Sequence, residues 1–248
     1  MRTAKIKKKW DEQMKKPTYK ETDLYDPIRN LLAEQGFTVR GEVKGCDIAA
    51  IKNEELWIVE MKLSMNIKLI FQAMERQTAT DWVFIAIPRP RQIRGGNYSQ
   101  LLRLLKKLQL GLITVALDSP AKHAEIILFP SGKANKSTKK SNIVRKEIAG
   151  RTVDTVGGSK GVVNTAYRER SVRIACLLEE HGNLSAKELT QIHGCEKDAY
   201  SILRVNHYNW YKNTARGRYE LSVNGHTYLR ENTSEKLVIF YRMKAKGV

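Results

Sequence analysis

The first part of the chain alternates between helical and strand-like spacing of its apolar residues. Over residues 22–35 the apolar positions recur at helical spacing, which predicts a helix that Gly36 ends. Residues 37–43, 47–51 and 56–63 are rich in Val, Ile and aromatic residues and are separated by polar or glycine breaks. They predict three strands, the last two paired as a hairpin.

The alternation continues to about residue 130. Residues 67–80 predict a second helix, 82–87 a strand, 99–109 a third helix, and 112–117 and 125–129 two further strands. The order is helix, three strands, helix, strand, helix and two strands. This order indicates a mixed α/β domain.

The last third of the chain has a different pattern, in which helices come first and strands later. Residues 167–181 form an amphipathic helix, Ser185 starts a second one with a capping box, and residues 196–205 suit a third. WYKNTARGRYELS then predicts a hairpin, with a short final helix after it. Three helices followed by a hairpin resemble a winged helix-turn-helix, whose third helix would enter a DNA major groove.

The candidate DNA contacts on that interpretation are polar residues of the third helix and of the hairpin. They are Lys197, Ser201 and Arg204 on the helix and Lys212, Arg216 and Arg218 in the wing. The alternative is a winged helix that contacts another protein.

The 248 residues carry a formal charge of +18, and this charge is unevenly distributed. Residues 1–20 have a net charge of +6 and residues 131–170 a net charge of +7. The composition therefore predicts a basic N-terminal arm (1–20), an α/β domain (21–130), a basic linker (131–166) and a second domain (167–248).

So much positive charge favours nucleic acid as the partner, with a membrane surface or solubility as alternatives. No apolar run is long enough to span a bilayer and no signal peptide is present, so we expect a soluble, cytoplasmic protein without a membrane partner. Three cysteines without a CxxC pair argue against disulfides and zinc. Any metal would therefore have oxygen ligands.

The unusual feature of the α/β domain is charge inside apolar strands, namely Asp47 in GCDIAAI and Glu60 with Lys62 in LWIVEMKLS. Alternation places Glu60 and Lys62 on one face of their strand. If the hairpin turn is residues 53–54 alone, Asp47 lies opposite Glu60 on that same face. A turn one residue longer would direct Asp47 away.

Two carboxylates this close repel each other unless a positive charge lies between them. A divalent cation with oxygen ligands and waters, Mg²⁺ or Mn²⁺, suits such a pair and would be held by Asp47 and Glu60. Lys62 would then orient or deprotonate the attacking water, or stabilise the transition state. The alternative is a buried ion-pair network without chemistry.

The pattern of Asp47, Glu60 and Lys62, after a helix ending in Gly-Phe and before another helix, resembles the PD-(D/E)XK nuclease superfamily. In that superfamily the matching acid, glutamate and lysine form the catalytic core, and Cys46 stands here at the position of the motif's proline. KETDLYDPIRNLLAEQGF, GEVKGCDIAAI, NIKLIFQAMERQ and VGGSKGVVNTAYRE further resemble a bacterial family of PD-(D/E)XK-type phosphodiesterases. The resemblance implies a restriction-endonuclease-like core followed by the winged helix.

The superfamily pattern also suggests helpers around the core. Glu21 on the first helix would assist the metal, with Glu42 as an alternative, and Gln72 on the second helix would face the site. Arg89 and Arg91, in PRPRQIRGG, are candidate phosphate contacts, or else residues of a solvated loop.

These observations together lead us to expect a Mg²⁺- or Mn²⁺-dependent phosphodiesterase, a DNA nuclease. The main alternative is a non-catalytic DNA-binding or regulatory protein on an inactive nuclease fold. Hydrolysis of a small phosphodiester is a third hypothesis, and it gives the basic segments no role. A homodimer that cuts both strands of a duplex stays open.

Overall fold

The computed structural model describes residues 19–90, 96–132, 137–154, 157 and 164–247. The basic N-terminal arm falls almost wholly outside these residues, and so do Arg91 and part of the linker. Contacts divide the chain into two units. The first holds most of residues 19–141 together with Gly157, and the second holds 42–45 and the other described residues from 142 onward.

The first unit is built on a mixed sheet of six strands. Its elements are the 3₁₀ turn Glu21–Leu24, α1 Tyr25–Glu34, β1 Thr38–Val43, β2 Cys46–Lys52, β3 Glu55–Met61, α2 Ile67–Arg76, β4 Trp82–Pro88, α3 Gly96–Lys107, β5 Gly111–Val115 and β6 Ala124–Leu128. The strands lie in chain order in the sheet. β3, β4 and β5 are parallel to one another, whereas the β2–β3 and β5–β6 pairs are antiparallel.

Alternation along the strands gives each face of this sheet its own core. One face packs against α1, where Ile28 and Leu32 meet Val59 and Met61. The opposite face packs against α2 and α3, through residues such as Ile85. The predicted order of elements in this unit is therefore confirmed, and Glu60 is placed on the face opposite to Met61.

The second unit contains α4 Thr138–Ala149 from residue 142 onward, α5 Ala166–His181, β7 Leu184–Ser185, α6 Ala186–Gln191, α7 Ala199–Val205, β8 Tyr211–Ala215, β9 Arg218–Leu221, α8 Val223–Glu231 and α9 Lys236–Ala245. The predicted helices and the hairpin are present. The hairpin forms a three-stranded sheet with β7, in the order β7-β9-β8. The single short helix expected at the end is two helices.

The interpretation of residues 131–166 as a linker is corrected by α4. This helix buries Val144 and Ile148, which are one helical turn apart. The neighbouring Glu147 carboxylate pairs with Arg151, which is only 4% exposed, and accepts a hydrogen bond from the Ala166 amide. Charged residues of this predicted linker, among them Glu147 and Arg151, are therefore part of a folded unit.

None of the described helices combines the length and the apolar character that a membrane crossing requires.

Candidate active site

Asp47 and Glu60 face each other where β2 and β3 meet. The two strands pair from Ile48 with Val59 to Lys52 with Glu55, so the turn is residues 53–54 and the next pair outward is Asp47 with Glu60. The turn is possible because Asn53 adopts a left-handed φ of 52°, which Asn tolerates better than most residues. The predicted register is therefore confirmed.

The Glu60 carboxylate is taken out of water, and the Asp47 carboxylate is half-buried. Glu60 is fully buried, and burial, followed by the nearby Asp47 charge, raises the pKa of Glu60 to about 7. Burial also raises the pKa of Asp47, although the Met61 amide donates a hydrogen bond of 2.7 Å to Asp47 Oδ2. The two carboxyl groups can hydrogen-bond to each other only when one of them is protonated. The pair therefore holds a proton more readily than either acid would alone.

Arg76, at the end of α2, is a functional candidate that the sequence interpretation missed. Its Nε donates a hydrogen bond of 2.6 Å to Glu60 Oε1, and this contact opposes the effect of burial on the Glu60 pKa. Gln72, the predicted helper, lies one helical turn earlier and is half-buried. Within the described residues Gln72 makes no hydrogen bond to either carboxylate. Arg76 follows Gln72 by four residues and therefore shares its helix face, which is the signal in the sequence that could have identified Arg76.

Lys62 and Glu21 form an ion pair beside the two carboxylates. The distance from Lys62 Nζ to Glu21 Oε1 is 3.0 Å, and both side chains are about one-third exposed. The Glu21 charge also raises the pKa of Asp47, after the larger effect of burial, so Glu21 lies within electrostatic range of the pair. Glu42, the alternative helper, belongs by its contacts to the other unit.

Gly157 packs directly behind Asp47. A Cβ atom on this buried glycine would lie 2.4 Å from the Asp47 backbone oxygen, 2.9 Å from the Tyr25 ring and 3.0 Å from the Met61 methyl group. No other residue fits without a shift of the backbone that carries Asp47. The Gly-Gly pair in VGGSKG is the signal in the sequence.

The carboxylate pair fits a divalent cation. Glu60 Oε2 is buried and receives no hydrogen bond from any donor in the described ranges, so this oxygen is left without a partner when both acids are ionised. A hard cation with retained waters requires few protein oxygens. No cluster of three or more His, Cys, Asp or Glu side chains suited to a metal occurs in the described part of the chain. Cys46 offers no thiolate, because burial raises its pKa to about 12.

The predicted nucleic-acid contacts fall into two groups. In the second unit Lys197, Ser201, Arg204, Lys212, Arg216 and Arg218 are all exposed, on or just before α7 and in the β8–β9 hairpin. Two of these cations, Arg218 and Lys212, already contact other side chains of the same unit.

The Arg218 guanidinium donates to the Asn183 side chain and backbone, both at 2.7 Å, and Lys212 lies 3.4 Å from Glu220. In the first unit Arg89 pairs with Glu125 at 3.2 Å.

The first unit is thus a mixed α/β sheet that carries a buried glutamate, a half-buried aspartate and a lysine at the ends of neighbouring strands, an arrangement compatible with a nuclease-like core. A family model described as "Putative PD-(D/E)XK phosphodiesterase" matches residues 113–228. The resemblance to that family is therefore confirmed over this range. The matched range begins after Lys62 and includes Gly157. No match was found among curated proteins or among solved structures.

Proposed function

We propose that this protein is a metal-dependent phosphodiesterase that hydrolyses nucleic acid, with DNA as its substrate. The observation that carries the proposal is the pairing of the buried Glu60 with the half-buried Asp47, in which one Glu60 oxygen receives no hydrogen bond and Lys62 follows Glu60 by two residues. Two acids forced together in an apolar environment are costly unless a cation binds between them. The match to a phosphodiesterase family supports the same reaction class.

Asp47 and Glu60 would hold Mg²⁺ or Mn²⁺. Such an ion, when bound, neutralises charge on the phosphate and acidifies a water molecule. Lys62 lies at the exposed edge of the site, where its ammonium group can donate hydrogen bonds to a phosphate oxygen or to the attacking water. Glu21 restrains that ammonium group through their ion pair. Arg76 fixes the orientation of Glu60 by holding Oε1, which leaves Oε2 for the cation.

The second unit would bind the DNA as a winged helix. The order of its elements, with α7 as the third helix of the motif and β8–β9 as the wing, supports this proposal. Lys197, Arg204 and Arg216 are exposed and would contact phosphates, while Ser201 faces solvent on the same helix. Arg218, which is held by Asn183, would instead fix the base of the wing.

The decisive experiment measures cleavage and metal binding together. Purified protein is incubated with single-stranded, duplex, nicked and branched DNA and with RNA, in Mg²⁺ or Mn²⁺, and Mn²⁺ binding is measured by calorimetry. We expect Asp47→Asn to abolish both signals and Lys62→Met to abolish cleavage while Mn²⁺ still binds. Lys68→Met, an exposed lysine on α2, is the matched control and should change neither. Wild-type protein that cleaves none of these substrates in either ion and does not bind Mn²⁺ would refute the proposal.

A second candidate function is DNA binding without catalysis. It is favoured by the Arg76 contact, because a guanidinium group already supplies a positive charge to Glu60 in place of a metal. In that case Asp47→Ala, Glu60→Ala and Lys62→Ala would leave DNA binding intact, and Arg204→Ala would abolish it. Gel-shift and cleavage assays together separate the two functions, because DNA binding by a wild-type protein that cleaves nothing in Mg²⁺ or Mn²⁺ supports the second, whereas cleavage that Asp47→Ala abolishes supports the first.

A further inference from the structure

A pocket of about 330 Å³ opens at the edge of the sheet that carries Lys62. The Lys62 amide donates to the Ala86 carbonyl at 3.0 Å, which continues the parallel pairing of β3 with β4 to the end of the strands. Leu63 and Ile87, the next residues along the chain after Lys62 and Ala86, both line the pocket. The pocket therefore begins one residue beyond the lysine of the proposed site.

The lining of this pocket suits a flat, uncharged ring. Its walls are mainly apolar, with Leu63, Met65 and Leu101 among them, and Tyr98 at the start of α3 contributes an aromatic ring. Asn97 adds an amide that can donate and accept hydrogen bonds. None of the described lining residues is charged, so the pocket does not suit a phosphate. The volume is at the lower end of the range for small-molecule sites, about 300 to 1,000 Å³.

The surroundings of the pocket carry the charge that a nucleotide would require. Arg89 lies between two prolines at the end of β4 and is 41% exposed, although it also pairs with Glu125. Its charge opposes the effect of burial on the pKa of Tyr98, so the guanidinium group lies within electrostatic range of the Tyr98 hydroxyl. An uncharged aromatic pocket flanked by Arg89 and Lys62 is complementary to a base attached to a charged backbone.

A neighbouring depression, also of about 330 Å³, is a poorer site for the same group. It shares Pro88 and Pro90 with the first pocket and is lined by Arg89, but also by Asp118, whose carboxylate accepts a hydrogen bond of 2.6 Å from Tyr19. An acid at this position repels a phosphate backbone. The pocket at Tyr98 is therefore the better of the two.

We propose that the Tyr98 pocket binds one unstacked nucleobase of the substrate strand, adjacent to the phosphate that Lys62 faces. This inference rests on the proposed function and narrows it, because a base in a fully paired duplex cannot enter the pocket unless it is flipped out of the stack. The substrate is then single-stranded DNA, or a strand that is unpaired at the cleavage position.

The test uses the full chain and a set of single-stranded oligonucleotides, each with one 2-aminopurine at a different position. Binding is first measured in EDTA, so that no cleavage is required. We expect the emission of one oligonucleotide to be quenched on binding, because its base stacks on Tyr98. Tyr98→Leu should remove this quenching and weaken binding roughly 5- to 150-fold, which is the loss expected for one stacked base.

Two variants separate stacking from a general disturbance of α3. Tyr98→Phe keeps the ring and should retain both the quenching and the affinity of the wild type. Leu104→Ala changes an exposed residue of the same helix that does not line the pocket, and it should also resemble the wild type. An oligonucleotide with an abasic position at the quenched site should bind wild type and Tyr98→Leu equally.

The outcomes distinguish this inference from the proposed reaction. Quenching that depends on Tyr98, in a protein that cleaves nothing in Mg²⁺ or Mn²⁺, supports the pocket and refutes the hydrolysis. Cleavage with identical binding by wild type and Tyr98→Leu refutes the pocket alone. A wild-type protein that binds no oligonucleotide, or a Leu104→Ala variant that loses as much as Tyr98→Leu, also overturns the inference.

Discussion

Replacement of Glu60 by Gln should change how the stability of the first unit depends on pH. Burial raises the Glu60 pKa from 4.5 to about 7, so the folded chain binds a proton more tightly than the unfolded chain. The stability that this carboxyl contributes is fully present below about pH 4.5 and is lost as the pH rises through about 7. A shift of this size corresponds to about 3 kcal/mol in the free energy of unfolding.

Gln cannot ionise, so the Glu60→Gln variant should not lose this stability as the pH rises. The difference in unfolding free energy between variant and wild type should therefore move by about 3 kcal/mol in favour of the variant between pH 4.5 and pH 8. Urea unfolding in EDTA measures it, followed by the emission of Trp57 and Trp82, whose rings stack at 5.4 Å within the first unit. A Trp210→Phe background removes the tryptophan of the second unit.

The control is Glu34→Gln, which removes an exposed carboxylate from α1 and should follow the wild-type curve. Addition of Mg²⁺ provides a second arm, because a cation that binds only the ionised pair restores stability at high pH in the wild type but not in Glu60→Gln. Parallel pH profiles of wild type and Glu60→Gln between pH 4.5 and 8 would refute the assignment of the raised pKa to Glu60.

Three further substitutions test the packing around the site and in the second unit. Gly157→Ala should destabilise the first unit by about 1 to 3 kcal/mol in urea unfolding and weaken Mn²⁺ binding in calorimetric titrations. Gly96→Ala is the control, because a Cβ atom at Gly96 has no neighbour within 4 Å, and it should change neither quantity. Arg76→Met leaves the buried Glu60 carboxylate without its counter-charge, so it should lower the free energy of unfolding by about 3 to 5 kcal/mol above pH 7. Urea unfolding measures this loss, with Lys68→Met as the control. An equal loss in both variants would contradict the role of the Glu60 contact. Ser185→Ala removes the side-chain cap of α6 and should lower the unfolding free energy of the second unit by about 1 kcal/mol, and an unchanged calorimetric midpoint would show that the cap contributes nothing.

The linker prediction failed for a reason that composition cannot reveal. Residues 131–166 are rich in Gly, Ser, Thr and Lys, which is typical of a flexible connection. The helix in this stretch depends on two apolar residues one turn apart, Val144 and Ile148, and on Glu147, which is held by partners from elsewhere in the second unit. A weakly apolar segment becomes helical when tertiary contacts bury its few apolar residues.

The sequence alone determined which acids could pair and under which condition. Strand alternation put Glu60 on one face, and a two-residue turn would put Asp47 opposite it, whereas a longer turn would not. The structure has the two-residue turn, with Asn53 at a left-handed φ. Both are local rules, because the side-chain period of a strand and the geometry of a tight hairpin depend only on residues close along the chain.

Only the tertiary structure decided what surrounds this pair. The choice of Arg76 rather than Gln72 as the partner of Glu60 depends on how α2 is rotated against the sheet, which helical periodicity alone leaves open. The contact of Lys62 with Glu21 spans 41 positions of the chain, and Gly157 meets Asp47 from still farther away. Such contacts are set by the packing of whole elements, where volume and charge from distant segments must fit at the same time. Asp47, Glu60 and Lys62 could therefore be identified from the sequence, whereas the contacts that surround them could not.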